Sequence, residues 1–349
     1  MKILKNGNPF GSHRVLEPKG VLPQPALRIS NDMETIYDNE ILVDVETLNI
    51  DSASFAQIKT AVSGDEKKVE EAILKIVGDR GKMQNPITGS GGMFIGKVAM
   101  VGPALDGRTD LKAGDKIASL VSLSLTPLRI DKMLGIKPGT EQVNVKGKAI
   151  LFESGIYAKL PADLPETLAL AVLDVAGAPA QTAKLVKPGQ TVVIIGAAGK
   201  SGVLCSYEAR RRAGVTGRVI GLEYSPEAVK RIKNYGFCHE AVQANAADAP
   251  DCYAKVAALT GGKLADVVIN CVNVQNTEMA SILMCKDEGT VYFFSMATSF
   301  TKAALGAEGV GKDVTMVIGN GYTKGHAEVT LNILRESQTI RKAYEKLYA

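Results

Sequence analysis

Four consecutive apolar residues followed by glycines, in Thr191-Val-Val-Ile-Ile-Gly-Ala-Ala-Gly-Lys-Ser-Gly202, form a combination suited to holding a phosphate. A helix that starts here presents unpaired N–H groups and a partial positive charge, and glycines let a pyrophosphate approach the backbone. The strict G-x-G-x-x-G spacing is not met, because Ala198 and Ser201 stand where the second and third glycines would fall. Gly196, Gly199 and Gly202 fit a relaxed G-x-x-G-x-x-G, with Lys200 and Ser201 between them. Gly199-Lys-Ser201 imitates a P-loop, but that motif needs a glycine at the position of Ile194, inside the apolar run. About 20 residues on, Glu223 ends a second apolar run and is followed by Tyr224 and Ser225. An acid there accepts hydrogen bonds from an adenosine ribose and repels a 2′-phosphate, so the expected cofactor is NAD rather than NADP. Asn270, Val272 and Ser295, at the ends of later strands, are expected on the nicotinamide side.

These residues need a particular scaffold. Thr191–Ile195 reads as a strand buried on both faces, and Ser201 to Arg212 as a helix with Val203, Leu204 and Tyr207 on one face and Gly214 as its stop. From residue 165 onward, strand and helix alternate through Arg218–Glu223, Pro226–Tyr235, Glu240–Gln243, Asp251–Leu259, Ala265–Val272, Thr277–Cys285, Thr290–Ser295 and Val314–Ile318. Such alternation predicts a doubly wound parallel sheet, an α/β Rossmann domain, over 165–320. Residues 1–164 read as a smaller β-rich domain: Glu40–Leu48 alternates as a strand, Asp65–Val77 is an amphipathic helix, and Gly- and Pro-bounded strands follow. The segment 321–349 is expected to be helical and to pack back on the β-rich domain.

Composition bounds the function. At 349 residues, with 46% hydrophobic and 22% charged residues, the chain has material for two cores and disorder is not expected. A net charge of +4 without basic runs, and no Trp, give no case for nucleic acid. With no run of about 20 apolar residues and no apolar signal core at the start, no membrane association and a cytoplasmic location are expected. The five cysteines lie from Cys205 onward without C-x-x-C spacing, there are three histidines, and H-E-x-x-H is absent. Buried free thiols and no protein-held metal are the expectation.

The order of parts, a β-rich domain with its Gly114-Asp115 turn, a strand leading into Leu48-Asn-Ile-Asp51, a crossover helix and the glycine loop, resembles the medium-chain dehydrogenase/reductase superfamily. The resemblance implies a GroES-like catalytic domain beside the Rossmann domain. Zinc-dependent members carry cysteine and histidine where Asn49, Asp51, Gly92 and Met93 stand here, which implies a zinc-free enzyme. Gly11–Ala26, Asn49–Phe55, Thr88–Gly96, Phe152–Tyr157 and Phe294–Phe300 are similar to an amine-oxidising branch of the superfamily. That branch implies NAD-dependent oxidative deamination of a small diamino acid in lysine fermentation, by a homo-oligomer, with a dimer favoured.

Hydride leaves an amine-bearing carbon only when the nitrogen has a free lone pair, so the ammonium must first lose a proton. The iminium that results is attacked by water, which again calls for a positioned base. Asp51, Asp174 and Glu153 are the candidate carboxylates, and His13 is the alternative base. For the substrate carboxylate, Arg14 or Lys19 offers a cation. Two other readings remain: a zinc-free quinone or enoyl reductase using NADPH, and a dinucleotide-binding protein without catalysis.

Overall fold

The computed structural model describes residues 1–137, 140–295, 297–319 and 321–348, leaving aside the side chains of Ser52 and Ala53; Met296 of the Phe294–Phe300 stretch lies outside the described residues. Two compact units result, Met1–Ala162 and Asp163–Ala349.

In the first unit, short strands β1 (Lys2–Leu4), β2 (Val15–Glu17), β3 (Arg28–Ile29) and β4 (Thr35–Tyr37) pair as β1 with β4 and β2 with β3. They lead into β5 (Glu40–Ile50), α1 (Ser52–Ala61), α2 (Glu66–Arg80), β6 (Gly92–Val101), β7 (Lys116–Ser119), β8 (Leu128–Ile136), β9 (Gln142–Phe152) and β10 (Tyr157–Lys159). The antiparallel sheet has the order β10-β7-β6-β5-β9-β8. β5 is not half-buried, as its alternation predicts, because both of its faces are covered. Val43, Val45 and Leu48 join the main core with Val69, Ile73 and Val77 of α2. Leu42, on the other face, packs with Met33, Ile36, Ile150 and Phe152. The helix α1 was not foreseen; it follows directly on Asp51, whose carboxylate accepts a hydrogen bond from Ser54 N, in the manner of an N-cap.

The second unit opens with α3 (Glu166–Leu173) and α4 (Gly177–Leu185), and then alternates. Its elements are β11 (Thr191–Ile195), α5 (Lys200–Ala213), β12 (Arg218–Glu223), α6 (Pro226–Tyr235), β13 (Glu240–Gln243), α7 (Ala249–Thr260), β14 (Ala265–Asn270), α8 (Glu278–Met284), β15 (Cys285–Phe293), α9 (Phe300–Gly309) and β16 (Val314–Ile318). All neighbours are parallel in the order β13-β12-β11-β14-β15-β16, the doubly wound arrangement with β11 at the point where strand order reverses. Alternate residues of β11 feed two cores, Val193 and Ile195 one, Val192 and Ile194 the other, which is why the whole run is apolar.

The C-terminal helices α10 (His326–Glu336) and α11 (Gln338–Leu347) belong to this same unit. Thr330 Oγ1 donates to the carbonyl of Ala176, Arg335 pairs with Asp163 at 2.8 Å, and the Tyr344 hydroxyl donates to the carbonyl of Lys200. All five cysteines are free thiols. Among the described residues, no helix is long and apolar enough to cross a membrane.

Candidate active site

The glycine loop is built by close approach. Gly196 turns the chain at φ +79° against Val272, and a Cβ on Gly202 would lie 1.8 Å from the Gly196 carbonyl oxygen. That spacing admits only glycine at 202 and brings the first turn of α5 against the end of β11. Gly199 is the N-cap of α5, and Ser201 is buried in its first turn.

Beside the loop lies a cavity of about 340 Å³ lined by Gly196, Glu223, Tyr224, Asn245, Val272 and Val274, among others. Its walls suit an adenosine: an apolar slot with an acid at one end. Glu223 Oε1 accepts from Ala198 N at 2.7 Å, so the acid that would select the ribose also holds the loop. Asn245 and Val274 were missed in the sequence. The signal for Asn245 was its place just past the carboxyl end of β13, where a parallel sheet opens toward its ligand.

Other expected cofactor residues are occupied elsewhere. The Ser225 hydroxyl caps α6 by accepting from Ala228 N. Asn270 is fully buried; its amide donates to Thr277 and Ser281, and its oxygen accepts from Val272 N, so it pins the end of β14 rather than facing a ligand. Ser295 donates to Asn273 Oδ1 and accepts from Ala297 N. Lys200 extends to Asp174, the residue that ends α3, at 2.6 Å. Asp174 is therefore the counter-ion of a loop lysine.

In the first unit, β5 separates the expected catalytic residues. Glu40, at its start, pairs with Phe152, whereas Ile50, at its end, pairs with Gly92 and leads to Asp51. Ten strand steps span about 30 Å. His13, Arg14 and Glu153 all gather at the Glu40 end, so they share no site with Asp51.

At that end, four of the five N–H groups of Arg14 are engaged, two by Glu40 and one each by the carbonyls of Asp32 and Thr35. His13 Nε2 bonds Glu40 Oε1 at 2.8 Å, and its Nδ1 accepts from Asn8 N. With Nδ1 accepting, Nε2 carries the proton, and no ring lone pair remains for a base. Burial pushes the Glu40 carboxyl up, but hydrogen bonds from Arg14 and His13 outweigh it and hold the group below its usual range. Glu153 accepts from Asn39 and from Arg108, and these bonds lower its pKa as well. His13 and Arg14 thus fasten the N-terminal segment to the sheet, where the roles of base and carboxylate anchor do not fit their surroundings, and Glu153 is held by Asn39 and Arg108.

At the other end, Asp51 Oδ1 accepts from Ser90 Oγ at 3.1 Å and from Ser54 N at 3.3 Å. Ser54, Thr88 and Ser90 form a closed set of hydroxyls, and Asn85 bonds both the Ser54 carbonyl and Gln57. One carboxylate among hydroxyls and amides is not a zinc donor set. Among the described residues, no group of three or more His, Cys, Asp and Glu could hold a metal. Lys19 is exposed on a loop whose next residues, Pro23 and Gln24, accept from the fully buried Lys82 and from Gln84, in the segment leading to Ser90. Burial lowers the Lys82 pKa to about 8.

The comparisons divide as the two units do. A family model described as "L-erythro-3,5-diaminohexanoate dehydrogenase N-terminal domain" matches residues 13–161, and one described as "Zinc-binding dehydrogenase" matches 202–316. Solved structures of the same fold include the CurK enoyl reductase, 16% identical with a TM-score of 0.52 over 88% of this chain and 78% of that one. A mycobacterial quinone oxidoreductase is 18% identical, with a TM-score of 0.52 over 88% and 80%. Two relatives named L-erythro-3,5-diaminohexanoate dehydrogenase match throughout. The one from Acetoanaerobium sticklandii is 63% identical over 98% of this chain and 99% of its own. The one from Fusobacterium nucleatum is 59% identical over 99% and 100%. The chain therefore belongs to the L-erythro-3,5-diaminohexanoate dehydrogenase family, on the fold of the medium-chain dehydrogenases and reductases.

Proposed function

We propose that the chain catalyses the NAD-dependent oxidative deamination of L-erythro-3,5-diaminohexanoate to 5-amino-3-oxohexanoate and ammonia. The observation that carries this is identity of 59–63% with enzymes of that name over nearly the full length of both chains. The family implies a nicotinamide dinucleotide, and the loop and cavity of the second unit support one: the glycines admit a pyrophosphate, and Glu223 lines the cavity, where an acid can accept from a ribose. When bound, the nicotinamide supplies the acceptor for the C3 hydride. The chain's own part is proton transfer. Asp51 takes the proton from the 3-ammonium so that the nitrogen lone pair can assist hydride loss; once it has passed that proton on, it takes one from the water that adds to the iminium and returns it to the departing nitrogen. Its rotamer is set by the Ser54 N and Ser90 hydroxyl bonds. With Arg14 committed to Glu40, the exposed Lys19 offers the cation for the substrate carboxylate.

The purified protein incubated with NAD and the diamino acid is expected to form NADH and ammonia in equal amounts. NADH formation without ammonia, or no turnover while NADPH reduces a quinone, would replace this reading. Glu223→Gln keeps an oxygen for Ala198 N and removes the charge. It is expected to weaken NAD binding roughly 10-fold, the scale of one charged hydrogen bond, and to raise kcat/KM with NADP. An unchanged NAD/NADP ratio would remove its role in selecting the cofactor.

A further inference from the structure

Oxidative deamination of an ammonium substrate releases one proton per turnover. The C3–H bond breaks with its electron pair going to the nicotinamide, water supplies the ketone oxygen, nitrogen leaves as ammonium, and one H⁺ must reach solvent. If Asp51 collects that proton, the carboxylate has to be emptied before it can act on the water that adds to the iminium.

We propose that Ser90, Ser54 and Thr88 carry the proton from Asp51 to solvent; this rests on the reading of Asp51 as the base. Asp51 Oδ1 lies 3.1 Å from Ser90 Oγ, Ser90 Oγ lies 2.6 Å from Ser54 Oγ, and Ser54 Oγ lies 2.5 Å from Thr88 Oγ1. The chain runs from the carboxylate to the exposed Thr88, either through a hydroxyl with no exposed surface at Ser54 or directly from Ser90 Oγ, 3.1 Å from Thr88 Oγ1, so Thr88 is the outlet of both routes. A hydroxyl is both donor and acceptor, so every link can reverse. With Asp51 ionised, Thr88 donates to Ser54, Ser54 to Ser90, and Ser90 to the carboxylate. Once Asp51 is protonated, it gives its proton to Ser90 Oγ, Ser90 passes its own to Ser54, Ser54 to Thr88, and Thr88 to water. Four O–H bonds break, on Asp51, Ser90, Ser54 and Thr88, and four form, on Ser90, Ser54, Thr88 and the receiving water, so the net change is one proton moved outward. No oxidant or further reactant is needed.

The local fold explains the arrangement. Ser54 sits in the first turn of α1, three residues past Asp51. Gly91 follows Ser90, and a Cβ there would lie 2.3 Å from the Met83 carbonyl oxygen and 2.6 Å from Ser124 N. The tight passage holds the Thr88–Ser90 turn beside α1, where Ser90 N also donates to Thr88 Oγ1. These residues act through Asp51 rather than on the substrate.

The test compares Thr88→Val, alone and combined with Ser54→Ala, with the unmodified enzyme and with Asp51→Asn, using the full chain, NAD and the diamino acid. Cutting the chain is expected to lower kcat about 10-fold, less than the roughly 10²- to 10⁴-fold of a positioned acid–base group, because Asp51 itself stays in place. It should also turn a curved proton inventory in H₂O/D₂O mixtures into a straight one, and make kcat rise with added imidazole, which the unmodified enzyme should ignore. Thr88→Ser restores the hydroxyl and should restore all three readouts. Thr88 is exposed, so its variants test the path without disturbing the core. If Asp51→Asn loses activity while Thr88→Val, alone and with Ser54→Ala, keeps the original kcat, isotope behaviour and indifference to imidazole, the path is wrong and the base stands. If Asp51→Asn remains fully active, both fall.

Discussion

Asp51→Asn lowers kcat for the diamino acid by about 10²- to 10⁴-fold, the range in which a positioned acid–base group contributes, and leaves NADH binding unchanged. The substitution is close to a pure loss of basicity. Asparagine keeps an oxygen for Ser54 N and for the Ser90 hydroxyl, so the start of α1 and the hydroxyl set should remain. The cofactor cavity is built from the second unit alone, so NADH titration serves as the control. Two companion variants sharpen the result. Asp174→Asn breaks the pair with Lys200 beside the glycine loop and should raise KM for NAD more than it lowers kcat. Glu153→Gln acts at the far end of β5 and should leave both constants near their original values. A large kcat effect at Glu153 together with none at Asp51 would move the chemistry about 30 Å along the strand and overturn the site.

The strand register that separates these carboxylates could not be read from spacing. Asp51 and Glu153 each stand beside the end of an apolar run, and nothing local says that those ends lie at opposite edges of one sheet. The second unit was legible because its signals are local: an apolar run, glycines in a turn, an acid one strand later. Even there, the position of Asn270 at a strand end points to the nicotinamide side, whereas its polar groups close the protein's own hydrogen bonds. Helices α1 and α9 escaped for a shared reason. Ser52–Ala61 and Phe300–Gly309 carry small and polar residues, including Gly306 inside α9, so their apolar stripes are faint and they begin on caps that read as loops. Ser54, Thr88 and Ser90 carried no signal, since serines and threonines are ordinary in loops and become a set only when α1 and the Thr88–Ser90 turn meet.

Arg14→Ala destabilises the protein by about 3–5 kcal/mol at neutral pH, because it leaves Glu40 buried and charged with its principal partner gone. Glu40 has no exposed surface, and two of its bonds come from Arg14, at 2.6 and 2.8 Å. Against the 5–15 kcal/mol that holds a typical domain, this is a large fraction. The pH dependence identifies the cause. In the unmodified protein the folded pKa of Glu40 lies below its ordinary value of 4.5, so the stabilisation is complete above that pH and is lost as pH falls through the folded value. Without Arg14, the burial contribution is opposed only by His13 and the Tyr37 N–H, and the folded pKa is expected to rise. The variant then gains relative stability as Glu40 takes up a proton. The gap between the two proteins, measured by urea unfolding, should be widest near pH 7 and narrow toward pH 4. KM for the diamino acid, measured where the variant is folded, should stay within a few-fold. Equal stability at pH 7 together with a raised KM would return Arg14 to the substrate. A stability loss that does not change with pH would mean that lost packing against Tyr37, rather than the stranded charge, is what the side chain provides.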